Sequence, residues 1–143
     1  MRLLLSLSLL LMVASQVRAE LGPFNAAGVA YGHVHLNVAD VDFHKKFWVD
    51  HFGGEVVTRG TLTTIKFPTM LIVLTQRAPT GPSAGTVMDH FGFKVRNIAE
   101  VLRGWRAAGY TVQQEFTGAE GFPNAYLLGP DGLRLELQED ATL

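Results

Sequence analysis

Three residues of metal-binding type stand at related places in this chain: His33, His90 and Glu136. Two imidazoles and one carboxylate with coordination positions left open form the facial arrangement suited to Fe(II), Mn(II) or Zn(II). The open positions let a substrate chelate through paired oxygens. A single strand histidine is more often hydrogen-bonded or solvated than a ligand, and a single Glu is an ordinary surface carboxylate. Position is what raises the reading. His33 opens the stretch HVHLNVADV and His90 opens HFGFKVRNI, equivalent points of an internal repeat, and Glu136 lies in LRLELQ near the end of the second copy. His35 shares a strand face with His33 and reads either as a general acid/base or metal-supporting group, or as a buried histidine satisfied by a neighbour. Tyr126, one strand away from Glu136, reads either as a proton donor to bound substrate or as packing at the rim. His44 and His51 fall on a helix and are expected to face solvent.

These side chains converge only if strands present them. In Tyr31 to Val38 (YGHVHLNV), Val34, Leu36 and Val38 alternate with His33, His35 and Asn37, which predicts a strand with one apolar and one polar face. Asp40 suits an N-cap. Val41 to Phe52 carries Val41, Phe43, Phe47, Trp48 and Phe52 at mostly helical spacing before Gly53-Gly54 stops it. Strand-like runs follow at about Glu55 to Arg59, Thr61 to Phe67 and Met70 to Gln76, broken by Gly60 and Pro68. Ala78 to Thr86 (APTGPSAGT) reads as a linker between two halves.

The second half repeats the first. Val87 to Arg96 sets Phe91, Phe93 and Val95 against His90, Gly92 and Lys94. Asn97 and Glu100 form a capping-box-like pair, Val101, Leu102, Trp105 and Ala108 give an apolar stripe, and Gly109 ends the helix. Runs Tyr110 to Phe116, Asn124 to Leu128 and Leu133 to Gln138 complete the copy, with the turn Gly129-Pro130-Asp131-Gly132 before the last. There Leu133, Leu135 and Leu137 take the core face, and Arg134, Glu136 and Gln138 the other. A Gly-rich loop, Thr117 to Gly121, flanked by Phe116, Phe122 and Pro123, is placed to cover a cleft mouth. The expected fold is α+β: two βαβββ modules, each helix covering one sheet face, the uncovered faces curving into a cup that holds the histidines. The linker permits pairing of the modules within one chain or across a domain-swapped homodimer.

The 143 residues, 48% hydrophobic and 17% charged, fit one globular domain. A formal charge of −1, from 12 basic and 13 acidic residues without a Lys/Arg run, gives nucleic acid or an anionic membrane no electrostatic footing. The absence of cysteine excludes a disulfide framework, a thiolate metal site and a cysteine nucleophile. Arg2, the apolar run Leu3 to Ala14 and the small-residue pattern of Val17-Arg18-Ala19 read as a secretory signal cleaved before Glu20. That run falls short of the roughly 20 residues of a spanning helix. The expected organisation is a signal peptide over 1–19, an extension over 20–30, a domain over 31–139 with modules 31–77 and 87–139 joined by 78–86, and a tail over 140–143. The mature protein would be periplasmic or secreted and would touch no membrane.

The chain resembles the vicinal-oxygen-chelate superfamily, which includes glyoxalase I, extradiol dioxygenases, methylmalonyl-CoA epimerase, fosfomycin-resistance thiol transferases and bleomycin-resistance proteins. The resemblance runs from about Tyr31 to Glu139. It is carried by His33 to Asp40, Phe47-Trp48 with Phe52-Gly53, His90 to Val95, and Gly129 to Leu137, the last close to the family's DPDG-x-x-x-E-L ending. It implies ligand roles for His33, His90 and Glu136, with one divalent ion (iron, manganese, zinc or nickel) as cofactor. It implies a small-molecule substrate and a metal-dependent, dioxygenase-like or glyoxalase-related activity. Glyoxalase I has a further Glu ligand in the strand that here reads Met70 to Thr75, where the equivalent position is Val73. A valine cannot bind a metal, so the resemblance favours dioxygenase-like chemistry over lactoylglutathione lyase activity. The alternative is a non-catalytic binding protein like the bleomycin-resistance proteins, which typically lack the metal residues.

Overall fold

The structure, a computed structural model, describes residues 22–140; the expected signal segment lies outside them. The first module consists of β1 (Val34–Val38), α1 (Val41–Phe52), β2 (Glu55–Arg59), β3 (Leu62–Lys66) and β4 (Leu71–Gln76). The second consists of β5 (Phe91–Val95), α2 (Ile98–Ala107), β6 (Thr111–Thr117), β7 (Pro123–Leu128) and β8 (Arg134–Glu139), with a 3-10 turn at Pro130–Gly132 before β8. Each module forms one four-stranded sheet, ordered β1-β4-β3-β2 and β5-β8-β7-β6, in which the first strand pairs in parallel with the last. Parallel pairing of β1 with β4 needs a long crossover, which α1, β2 and β3 supply.

The helix limits follow from local chemistry. The Asp40 side chain accepts the Phe43 N–H (2.9 Å) and Gly53 closes α1 at φ +66°, a conformation that glycine adopts without penalty. Asn97 accepts the Glu100 N–H (3.0 Å) at the start of α2. In β1 the apolar positions Val34 and Val38 are buried and His35 and Asn37 are exposed, as the alternation requires, and the expected strand is shorter by Tyr31 to His33, with His33 exposed just ahead of it.

The helix-covered faces of both sheets share a single core containing Val38, Phe47, Trp48, Ile72, Trp105 and Leu135. Helix α1 serves both modules, since the Trp48 ring lies 6.0 Å from Phe91 of β5 and the Phe47 ring lies 5.6 Å from Trp105 of α2. Truncating either ring would cost about 3–5 kcal/mol.

One expectation is overturned here. His44 does not face solvent: it is 1% exposed, because it sits three and four residues before Phe47 and Trp48 on the inner face of α1. Its Nε2–H donates to Asp131 Oδ2 (3.0 Å), and the same oxygen accepts the Ala39 N–H (2.8 Å). Asp131 holds φ +57°, a left-handed conformation that Asp tolerates better than most residues. A turn of the second module is thereby tied to the first. His51 is half-buried, its ring 5.0 Å from that of Tyr110. The segment after β4 docks on the same turn, with Ser83 N–H donating to Gly132 O (3.2 Å) and Arg134 N–H donating to Ser83 Oγ (2.8 Å).

Candidate metal centre

Strand register decides which side chains meet. Glu136 of β8 stands opposite Gly92 of β5 on one side and Tyr126 of β7 on the other, and Asn124 stands opposite Gln138. With a period of two, His90, Gly92 and Lys94 therefore share the open face with Arg134, Glu136, Tyr126 and Asn124. Gly92 keeps that face clear beside the carboxylate: a Cβ there would lie 3.3 Å from the Glu136 carbonyl oxygen. A small cavity of about 230 Å³ opens at this point, lined by Gly92, Lys94, Glu136 and Gln138 among others.

His90 Nε2 and Glu136 Oε2 lie 3.1 Å apart. The other carboxylate oxygen, Oε1, accepts from Asn124 Nδ2 (2.8 Å). On the far side of the imidazole, Nδ1–H donates to Asp89 Oδ2 (2.8 Å). Asp89 is itself held by the Gly85 N–H (2.6 Å) and by Arg134 NH1 (3.1 Å). The hydrogen bond from His90, then the Gly85 N–H and the Arg134 charge, hold the Asp89 carboxyl below its ordinary range. A carboxylate oxygen thus faces each nitrogen of His90. Nε2 and Oε2 are aimed at one another at a distance that fits a direct hydrogen bond, and the same two atoms are donors of the type that hold a divalent ion.

Tyr126 lies beneath this network. Its ring is 3.9 Å from the Arg134 guanidinium carbon, 5.1 Å from the His90 ring and 4.9 Å from Phe116. The guanidinium over the ring face is a cation–π contact that holds both side chains against the sheet.

The first module contributes differently. His33 directly precedes β1, exposed, its ring 6.2 Å from that of His35. His35 Nε2 is hydrogen-bonded to Thr75 Oγ1 (2.7 Å). His35 pairs in register with Val73, as Gly92 pairs with Glu136, so Val73 occupies in the first module the slot that Glu136 occupies in the second. A cavity of about 640 Å³ lies where the modules meet, reached by His35 and Asn37 from one and His90 and Asp131 from the other. The structure therefore brings His90 and Glu136 together and leaves His33 outside their contact. Among the described residues no group of three or more His, Asp or Glu is placed to hold a metal.

Sequence reasoning missed Asp89, Asn124 and Arg134. Arg134 was already on the open face beside Glu136 without a role, and Asn124 was reachable, since it lies two residues before Tyr126. Asp89 falls inside the expected strand Val87 to Arg96, where alternation turns it away from His90; the structure begins β5 only at Phe91, and ahead of the strand Asp89 reaches the His90 ring.

The chain matches the Glyoxalase/Bleomycin resistance protein/Dioxygenase superfamily over residues 30–137. No curated protein sequence matches it. Among solved structures it is similar to a glyoxalase family protein from Enterococcus faecalis, with 26% identity, a TM-score of 0.62, and coverage of 76% of this chain and 96% of that one. It is also similar to the genomically encoded fosfomycin resistance protein FosX from Listeria monocytogenes, at 16% identity and a TM-score of 0.67, covering 80% and 95%. A lactoylglutathione lyase from Agrobacterium tumefaciens is similar at 21% identity and a TM-score of 0.59, covering 78% and 94%. At these identities the likeness to the last two speaks for the fold alone. The paired βαβββ modules and the match across both of them place this chain in the Glyoxalase/Bleomycin resistance protein/Dioxygenase superfamily.

Proposed function

We infer that the protein is an exported, metal-dependent enzyme acting on a small substrate that chelates through adjacent oxygens, with His33, His90 and Glu136 holding one divalent ion. The observation that carries the reading is the 3.1 Å approach of His90 Nε2 to Glu136 Oε2, each side chain fixed from behind by its own hydrogen bond. A bound ion would act as a Lewis acid or oxygen-activating centre. The chain's own groups would orient the substrate: Tyr126 and His35, on the open faces of the two sheets, would serve as proton donor and acceptor, and Lys94, its ammonium paired with Asp140 (2.9 Å), flanks the Glu136 cavity. Because the second module supplies two ligands and the first only His33, the reading includes a homodimer in which His33 of one copy meets His90 and Glu136 of the other.

Elemental analysis of the purified mature protein tests this reading. About one divalent ion per chain is expected, lost in His33→Ala, His90→Ala and Glu136→Ala with the circular dichroism spectrum kept. Co-expressed His33→Ala and Glu136→Ala chains should recover roughly half the mixed dimers' sites, one intact site each, if ligands come from two copies. Metal binding unchanged in all three single variants would remove the proposed centre.

The cavity of about 640 Å³ between the modules supports a second reading, a binder that traps a small molecule without catalysis, since that volume lies within the usual range of ligand sites. Absence of metal in the natural protein would favour it.

A further inference from the structure

We propose that Asn124 and Asp89 are positioning residues that turn Glu136 Oε2 and His90 Nε2 toward one another, so that the second module presents a preformed pair of metal donors. The proposal rests on the metal-centre reading above and goes beyond it by assigning the groups that set donor geometry. Asn124 gives the stronger argument. It is 7% exposed and donates from Nδ2 to Glu136 Oε1 (2.8 Å), while its own Oδ1, buried as well, finds no hydrogen-bond partner among the described residues. Fold stability alone would favour an apolar side chain in such a place, because a buried amide with an orphaned acceptor is a net cost. What the amide does accomplish is to occupy one carboxylate oxygen, which fixes the rotation of the carboxyl group and leaves Oε2 facing His90. Amide orientation follows from the same contact, since a flipped Asn124 would set oxygen against oxygen.

The loop above is shaped to this side chain. A Cβ at Gly118 would lie 2.9 Å from both Nδ2 and Oδ1 of Asn124, so any larger residue there would push the amide from its place. Asp89 does the equivalent for the imidazole. It accepts Nδ1–H and is locked by the Gly85 N–H and by Arg134, so the ring cannot turn and the nitrogen left for a metal is Nε2. Neither residue reaches the site directly, and each acts through the donor it holds.

The test uses the full mature chain with zinc as probe, its affinity read by competition against a chromogenic chelator. Asp89→Ala, Asn124→Ala and Gly118→Ala are each expected to weaken zinc about 10–100-fold with melting behaviour and the circular dichroism spectrum retained. Gly118→Ala guards against misfolding as the cause, since it removes no hydrogen bond and disturbs the carboxylate only by displacing Asn124. Nitrogen-15 correlation spectra of the zinc-loaded wild type should show His90 with a proton on Nδ1 and zinc on Nε2. In Asp89→Ala the slowly exchanging Nδ1–H signal should disappear, a readout that a merely structural role would not move. Zinc-binding wild type with folded variants within twofold of it, or zinc on Nδ1, would overturn the positioning proposal and leave the metal centre standing. A wild type that binds no zinc, manganese or iron would overturn both.

Discussion

Replacing Asp131 tests whether the two modules are held in their mutual arrangement by the contact the structure shows. The carboxylate accepts from His44 and from the Ala39 N–H through one oxygen, on a residue held at φ +57°. In Asp131→Ala, the His44 ring stays buried and loses the only hydrogen bond the ring makes among the described residues, because Nδ1 has none already. Orphaning that donor costs about 1–3 kcal/mol. Ala39 is exposed, so water takes over its N–H at little cost. Alanine at a left-handed φ adds about 1–2 kcal/mol relative to a residue at ease there. The expected loss is therefore about 2–5 kcal/mol, or roughly 8–20 °C in Tm for a domain of this size, at about 4 °C per kcal/mol.

Asp131→Gly separates the two contributions, since it loses the same hydrogen bonds and relieves the backbone. It should be more stable than Asp131→Ala by about 1 kcal/mol. Urea unfolding followed by tryptophan fluorescence measures both variants, with Trp48 and Trp105 lying in the shared core. A loss under 1 kcal/mol for Asp131→Ala, or equal stability of the alanine and glycine variants, would show that the latch or its strained backbone has been misjudged.

Burial drives the His44 pKa below its ordinary value near 6.5, against the opposing pull of Asp131 and Asp40. The unfolded chain therefore takes up this proton first as pH falls: the contribution is complete above about pH 6.5 and is lost as pH drops from there toward the folded-state value. Wild-type Tm should fall more between pH 7.5 and 5.5 than that of His44→Asn; equal slopes would exclude His44 as the source. Little or no turnover of the methylglyoxal–glutathione hemithioacetal is expected of the metal-loaded protein, because Val73 stands where a fourth ligand and proton-shuttling carboxylate would be needed; robust turnover would show that slot to be unimportant. Mass spectrometry of protein exported by its natural host should give an N-terminus at Glu20, and an intact Met1 in the membrane fraction would sink the cleavage reading.

Much of the module architecture was legible because period and punctuation agree locally. The alternation in Tyr31 to Val38 marked a strand that the structure begins at Val34, Asp40 and Gly53 bounded α1 at the residues observed, and LRLELQ placed Glu136 on the open face. His44 was misread because polarity was weighed above position. Spacing of three and four to Phe47 and Trp48 put it on the inner face, while Phe43, apolar but off that face, is 49% exposed. A histidine there calls for a hydrogen-bond partner, and that partner comes from the other module, 87 residues away. No local pattern carries such a contact. The docking of the linker on the Pro130–Gly132 turn is illegible for the same reason.

The candidate site divides along the same line. Repeat equivalence made His33 and His90 counterparts, and register now makes Val73 and Glu136 counterparts too. The two units are thus unequal: the second holds an imidazole and a carboxylate 3.1 Å apart, and the first has Val73, 6% exposed, in the slot that Glu136 fills. A symmetric pair of modules would offer an ion four protein donors, whereas under the proposed reading these modules would offer three and leave more of its positions open. The support differs as well. Behind the second module's pair stand Asp89, Arg134 and Asn124, each hydrogen-bonded into place, while the His35 ring in the first hydrogen-bonds to the Thr75 hydroxyl. A centre built from these parts would keep its geometry on the side of the second module and have its freedom on the side of the first, where a substrate's two oxygens would enter.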